Sequence, residues 1–174
     1  IRRDMRRIEK QLAALGYSED ELSPRVLQNI DFARANMKMN IYDQAVLEGV
    51  ATSFPQTEEI IDNGKIFGMT AADVQKILNL KHAWEFILDR DVIANKSDYY
   101  MLRTIARLVK AGFFAEGGRI RGVPVTIGNC SYVPPLPNAL NVKERIQEIT
   151  SSGSDPVDIA IELCLYCMQT QVFL

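Results

Sequence analysis

The chain has one histidine, His82, one tryptophan and three cysteines in 174 residues, and each scarcity argues against a class of function. A lone histidine leaves the spaced pair Cys164-x-x-Cys167 without the second ligand pair that a structural zinc site needs. The spacing therefore predicts two small apolar side chains on a buried helix face, with no metal bound, and His82 is expected on a helix surface or at an interface. Three cysteines cannot form a closed set of disulfides, which points to a reducing, cytoplasmic setting.

Charge of one sign is also missing. Twenty basic and 22 acidic side chains leave a formal charge of −2, so no global field draws the chain onto nucleic acid or a membrane surface. Arg2, Arg3, Arg6, Arg7 and Lys10 form one local basic cluster, read as a solvated helix face. The most apolar stretch, 157–174, is broken by Asp158 and Glu162 and is expected to be a buried helix, not a membrane span. The first residues, Ile-Arg-Arg-Asp, include no initiator Met and no apolar leader core, and the chain is expected to be a trimmed, soluble protein. G-x-G-x-x-G after a strand, the Walker sequence, G-x-S-x-G and H-E-x-x-H are all absent.

What is present reads as helices. Met5, Ile8, Leu12 and Leu15 recur at helical spacing up to Gly16. Ser23 and Pro24 open a second helix with Leu27, Ile30, Ala33 and Met37 on one stripe, reaching about residue 40. Residues 41–50 form a short helix or its continuation, closed by Gly49, and 56–62 another between Pro55 and Gly64. Thr70 with Asp73 starts a helix carrying Val74, Ile77, Trp84 and Leu88, and Ser97 starts one that stops at Gly112. Residues 119–127 alternate loosely around Gly122, with Pro124 suited only to an edge, which predicts one exposed β-hairpin. Asn141 with Glu144 caps a further helix, 151–154 is a flexible joint, and Asp155 with Pro156 starts a last helix running to the chain end.

The order of the last third is specific. Gly118-Arg-Ile-Arg-Gly-Val-Pro-Val-Thr-Ile-Gly128, then Tyr132-Val-Pro-Pro135, then a short helix, a joint and an apolar helix beginning Val157-Asp-Ile-Ala-Ile-Glu-Leu resembles the Fic (Fic/Doc) family. Ala45-Val-Leu-Glu-Gly49 resembles the inhibitory-helix motif Ser/Thr-x-x-x-Glu-Gly/Asn of that family, with Gln44 where Ser or Thr is usual. Gln56-Thr-Glu-Glu-Ile and Asn79-Leu-Lys-His-Ala-Trp-Glu-Phe-Ile87 resemble the segments that follow it. The resemblance implies a mainly α, Fic-type domain over residues 41–174, with the hairpin as a flap and residues 1–40 as an N-terminal helical segment.

By the same resemblance the last helix leads into the motif His-x-Phe-x-Asp/Glu-Gly-Asn-Gly/Lys-Arg, and the chain is expected to end inside it. Phe173 then falls on the motif phenylalanine and Gln171 on the catalytic histidine. A second register, with Leu174 just before an unseen histidine, is the alternative. In an active member that histidine takes the proton of a target hydroxyl as it attacks the α-phosphate of ATP, with Mg²⁺ present; an amide cannot accept that proton near neutral pH. Ala160, Cys164, Cys167 and Gln171 are spaced to share one helix face, with Gln171 at its end.

The resemblance further assigns Glu48, with Gly49, the inhibitory role of pairing with an arginine of the anion loop, and assigns the flap the docking of a protein partner by strand addition. Ile120, Val125 and Ile127 would clamp that partner while Arg119 and Arg121 steer acidic segments, and a homodimer is left open. ATP and Mg²⁺ are expected for the family, held weakly or not at all by this stretch. Three functions follow: transfer of AMP to a Ser, Thr or Tyr hydroxyl with a degenerate base, a non-catalytic partner-binding domain using the flap, or an altered phosphoryl transfer or hydrolysis.

Overall fold

A computed structural model of the chain describes Lys10 and residues 23–173 apart from 66 and 129. The helix expected from Met5 to Leu15 lies outside the described residues except for Lys10. Among those described, the protein is mainly helical, with seven helices: α1 Pro24–Leu47, α2 Phe54–Asn63, α3 Ala71–Ile87, α4 Arg90–Ile93, α5 Tyr99–Val109, α6 Ala139–Thr150 and α7 Pro156–Thr170. The chain divides into two compact units, Ile1–Asn95 and Lys96–Leu174. None of the helices is long and apolar enough to cross a membrane.

In the first unit, the Ser23 hydroxyl accepts from the Val26 amide at 3.4 Å and Pro24 fixes the first turn, so α1 starts as its capping chemistry directs. Of the two expectations for residues 41–50, a short helix or a continuation, the structure shows the continuation: residues 41–47 belong to the helix that starts at Pro24. Leu27, Ile30, Ile41 and Ala45 are its buried residues. Ser53 and Gln56 cap α2, the Gln56 Oε1 accepting from the Ser53 amide at 2.9 Å. Thr70 caps α3, its hydroxyl oxygen accepting from the Asp73 amide at 3.1 Å; Ile77, Leu80 and Ala83 are buried on α3, as Ile60 and Ile61 are on α2. The Trp84 indole donates to Gln44 Oε1 at 3.1 Å, tying α3 to α1. His82 is exposed, as its place on the polar side of α3 predicts.

In the second unit, Asp98 rather than Ser97 caps α5, accepting from the Met101 amide at 2.8 Å. Asn138 caps α6, so this helix starts ahead of the expected Asn141. Asp155 caps α7 through the Val157 amide at 2.8 Å. Val142, Ile146 and Val172 form a core joined by Leu102, Leu163 and Tyr166, and an Arg145–Glu162 ion pair at 2.6 Å links α6 to α7.

Two expectations for α7 are corrected. It ends at Thr170, because Gln171 turns into the left-handed region at φ 47° and ψ 58° and takes the chain out of the helical path. Its face bearing Cys164 is not buried: Cys164 is exposed, Cys167 half-buried, and no residue of α7 is fully buried within the described structure. The helix packs through Leu163 and Tyr166, while Val157, Ile161, Leu165 and Met168, on the other side, stay about half exposed. In the segment read as a hairpin, 119–127, the described residues show one antiparallel bridge, and it joins Ile120 to Phe173.

Candidate active site

The residues that converge are those at the end of α7 and the start of the 119–127 segment. After Thr170 the chain makes one left-handed turn at Gln171, whose amide donates to the Cys167 carbonyl at 2.9 Å. A non-glycine residue at positive φ is uncommon and must be held by its surroundings. Here the Gln171 side chain folds back, Nε2 donating to the Met168 carbonyl at 2.9 Å, and the whole residue is solvent-exposed. Gln171 therefore leaves the stripe of Ala160, Cys164 and Cys167 that helical spacing assigned it to.

Arg121 does most of the holding. It is 1 % exposed, and its guanidinium donates to main-chain carbonyls on three segments. Nε reaches the Gln171 carbonyl at 2.9 Å, and Nη2 reaches those of Pro135 at 2.7 Å and Thr170 at 3.2 Å. The Arg121 amide adds a bond to the Val172 carbonyl at 2.9 Å. The last carbonyls of a helix carry partial negative charge, so a cation placed there is stabilised without a carboxylate. The guanidinium fork suits this task because it presents five donors in one plane. Arg121 is thus corrected from a surface residue steering partners to a buried clamp between the 119–123 segment, the Pro134-Pro135 loop and the end of α7.

The clamp delivers Val172 and Phe173 to the core. Val172 is buried against Val142 and Ile146, and the Phe173 ring lies 5.9 Å from that of Tyr99. Ile120, expected to grip a partner, is half-buried against this same cluster. Val125 and Ile127 are half-buried as well. Arg119 does stay exposed, and its guanidinium pairs with Glu116 at 2.8 Å. Of the flap residues, Arg119 alone keeps the exposed position that steering requires.

Glu48 and Gly49 belong to the first unit and Gln171 to Phe173 to the second. Locally, Glu48 and Gly49 terminate α1. Gly49 takes φ 78°, its amide donates to Val46 at 3.0 Å, and the next amide, of Val50, donates to Ala45 at 2.9 Å, the paired bonds of a Schellman stop. That stop accounts for glycine at 49 but not for glutamate at 48.

The thiols do not form a reactive pair. Burial, and then the neighbouring Cys164, push the Cys167 thiol above its usual pKa, the opposite of what a nucleophilic or metal-bound cysteine needs. Among the described residues no group of three His, Cys, Asp or Glu side chains is placed to hold a metal ion. Chemically, the arrangement offers an exposed amide and an ordered main-chain turn. It can orient a hydroxyl or a water but cannot take its proton. No model of a known protein family matches this chain, and no curated protein matches it.

Proposed function

We propose that this chain is a Fic-type nucleotidyl transferase domain whose general base has been replaced by Gln171. What supports the reading is one juxtaposition: Arg121, from the segment that resembles the flap, is bonded to the main chain of Gln171, 50 residues away, in the segment that resembles the catalytic motif. In the reaction proposed, the hydroxyl oxygen of a protein Ser, Thr or Tyr attacks the α-phosphorus of ATP, the bond to pyrophosphate breaks, and the hydroxyl proton must leave. Histidine in the place of Gln171 would accept that proton. The amide leaves it to water, at a cost of about 10²- to 10⁴-fold in rate.

A second reading, a non-catalytic domain that binds a partner, is favoured by the Gln171 amide being tied to its own helix through Met168. Intact mass spectrometry of the full-length protein, with the whole of the motif that Gln171 and Phe173 resemble, after incubation with ATP and Mg²⁺ separates the two. Adducts of AMP are expected on Gln171→His, more on Gln171→His with Glu48→Gly if Glu48 inhibits, and little on the unsubstituted protein. If neither variant gains the mass under conditions where both are folded, self-modification by this site is excluded and the partner-binding reading replaces it.

A further inference from the structure

We propose that a second site, between the start of α5 and the last turns of α6, binds a phosphate monoester carried on a small organic body. The inference stands apart from the transferase reading, since it uses neither Gln171 nor the clamp. An open cavity of about 480 Å³ lies there, lined by Lys96, Ser97, Tyr99, Tyr100, Lys143 and Thr150 among others. That volume falls within the roughly 300–1,000 Å³ of small-ligand pockets.

The charge arrangement selects the ligand. Lys143 Nζ stands 5.1 Å from the Tyr99 ring centroid and 5.5 Å from that of Tyr100, and the two rings meet edge to face at 5.3 Å. Aromatic faces hold a cation in place without neutralising it. Among the described residues neither Lys143 nor Lys96 forms an ion pair with a carboxylate. One carboxylate, Asp98, also lines the cavity, and its Oδ1 is engaged in capping α5 through the Met101 amide at 2.8 Å. The cavity thus presents two ammonium groups against one carboxylate. Ser97 and Ser151 add hydroxyl groups with no hydrogen-bond partner among the described residues.

Two ammonium groups and two hydroxyl donors match the two charges and several acceptor oxygens of a phosphate monoester. The exposed ring of Tyr100 offers apolar surface to the rest of the ligand. Cationic ligands are disfavoured because Lys143 already lies over both rings. Tyr99 is shared, touching Phe173 on one side and lining the cavity on the other, so a ligand here would reach the neighbourhood of Phe173 through a single ring.

Isothermal titration with phenyl phosphate at low salt tests the assignment, with phenol and tetramethylammonium as the neutral and cationic comparisons. A dissociation constant on the order of 1 mM is expected for phenyl phosphate. Lys143→Gln and Lys96→Gln should each weaken binding about fivefold, the scale of a partly exposed charge contact. Lys96 lies outside any helix, so Lys96→Gln remains informative if Lys143→Gln perturbs the fold. Absence of binding up to about 20 mM, equal binding by the double variant, or preferential binding of tetramethylammonium would each overturn the proposal.

Discussion

Arg121 is the residue on which the second unit turns, because a guanidinium buried to 1 % exposure can be tolerated only if its donors are filled. Its partners are carbonyls of Gln171, Thr170 and Pro135, all of which lose a donor if the side chain is shortened. Arg121→Met is expected to lower the stability of the second unit by about 3 kcal/mol in urea denaturation, and Arg121→Lys by less, since one ammonium can serve some of the carbonyls. A change within about 0.5 kcal/mol for Arg121→Met would contradict the clamp. Alternation along 119–127 gives Arg121 the same status as Arg119, and nothing local separates them. Cys167 tests the site in another way. Its thiol pKa is raised by burial, so at about pH 8 its thiolate is scarcer than an ordinary cysteine's and its alkylation continues to accelerate as pH rises past the ordinary thiol pKa. Peptide mass spectrometry after brief iodoacetamide treatment should find Cys130 and Cys164 labelled ahead of Cys167; the reverse order would contradict its burial.

Among the elements, helix starts were legible wherever a capping side chain and a proline or acid coincide, as at Ser23-Pro24, Thr70 with Asp73 and Asp155-Pro156. They shifted where two capping residues lie close together: Asp98 takes the place of Ser97, and Asn138 that of Asn141. Both members of each pair can cap, so short-range chemistry does not choose between them. The approach of the 115–118 turn to α5 depends on glycine. Gly118 has φ 76°, and a Cβ there would fall 2.4 Å from the Arg103 carbonyl oxygen and 3.0 Å from the Arg107 amide. Gly118→Ala is expected to cost about 3 kcal/mol or more by thermal denaturation, whereas Gly122→Ala, with nothing within 4 Å, should stay within about 0.5 kcal/mol. Equal melting temperatures for the two variants would show that the turn is free to move away from α5.

For the whole molecule, the division between compact units falls after Asn95, while α1 runs without a break through residue 40. Residues 94–98 are exposed and lie between α4 and α5 outside any helix. Limited trypsin digestion is expected to cut after Lys96 while Lys76 and Lys81, inside α3, remain intact, as read by the masses of the fragments. Early cleavage at Lys76 or Lys81 with Lys96 uncut would contradict that division.

Helix content and its boundaries to within a few residues were contained in the sequence, because a helix is made of contacts three and four residues apart and its caps lie within one turn. The mainly α class follows from those local rules alone. The burial of Arg121, the turn at Gln171, the bridge from Ile120 to Phe173 and the exposure of Cys164 were decided only when the chain folded, because each depends on groups far apart in sequence. A helical stripe shows which residues share a face, but which face meets the core is set by the segment that arrives there, and at the end of α7 that segment comes from 50 residues away.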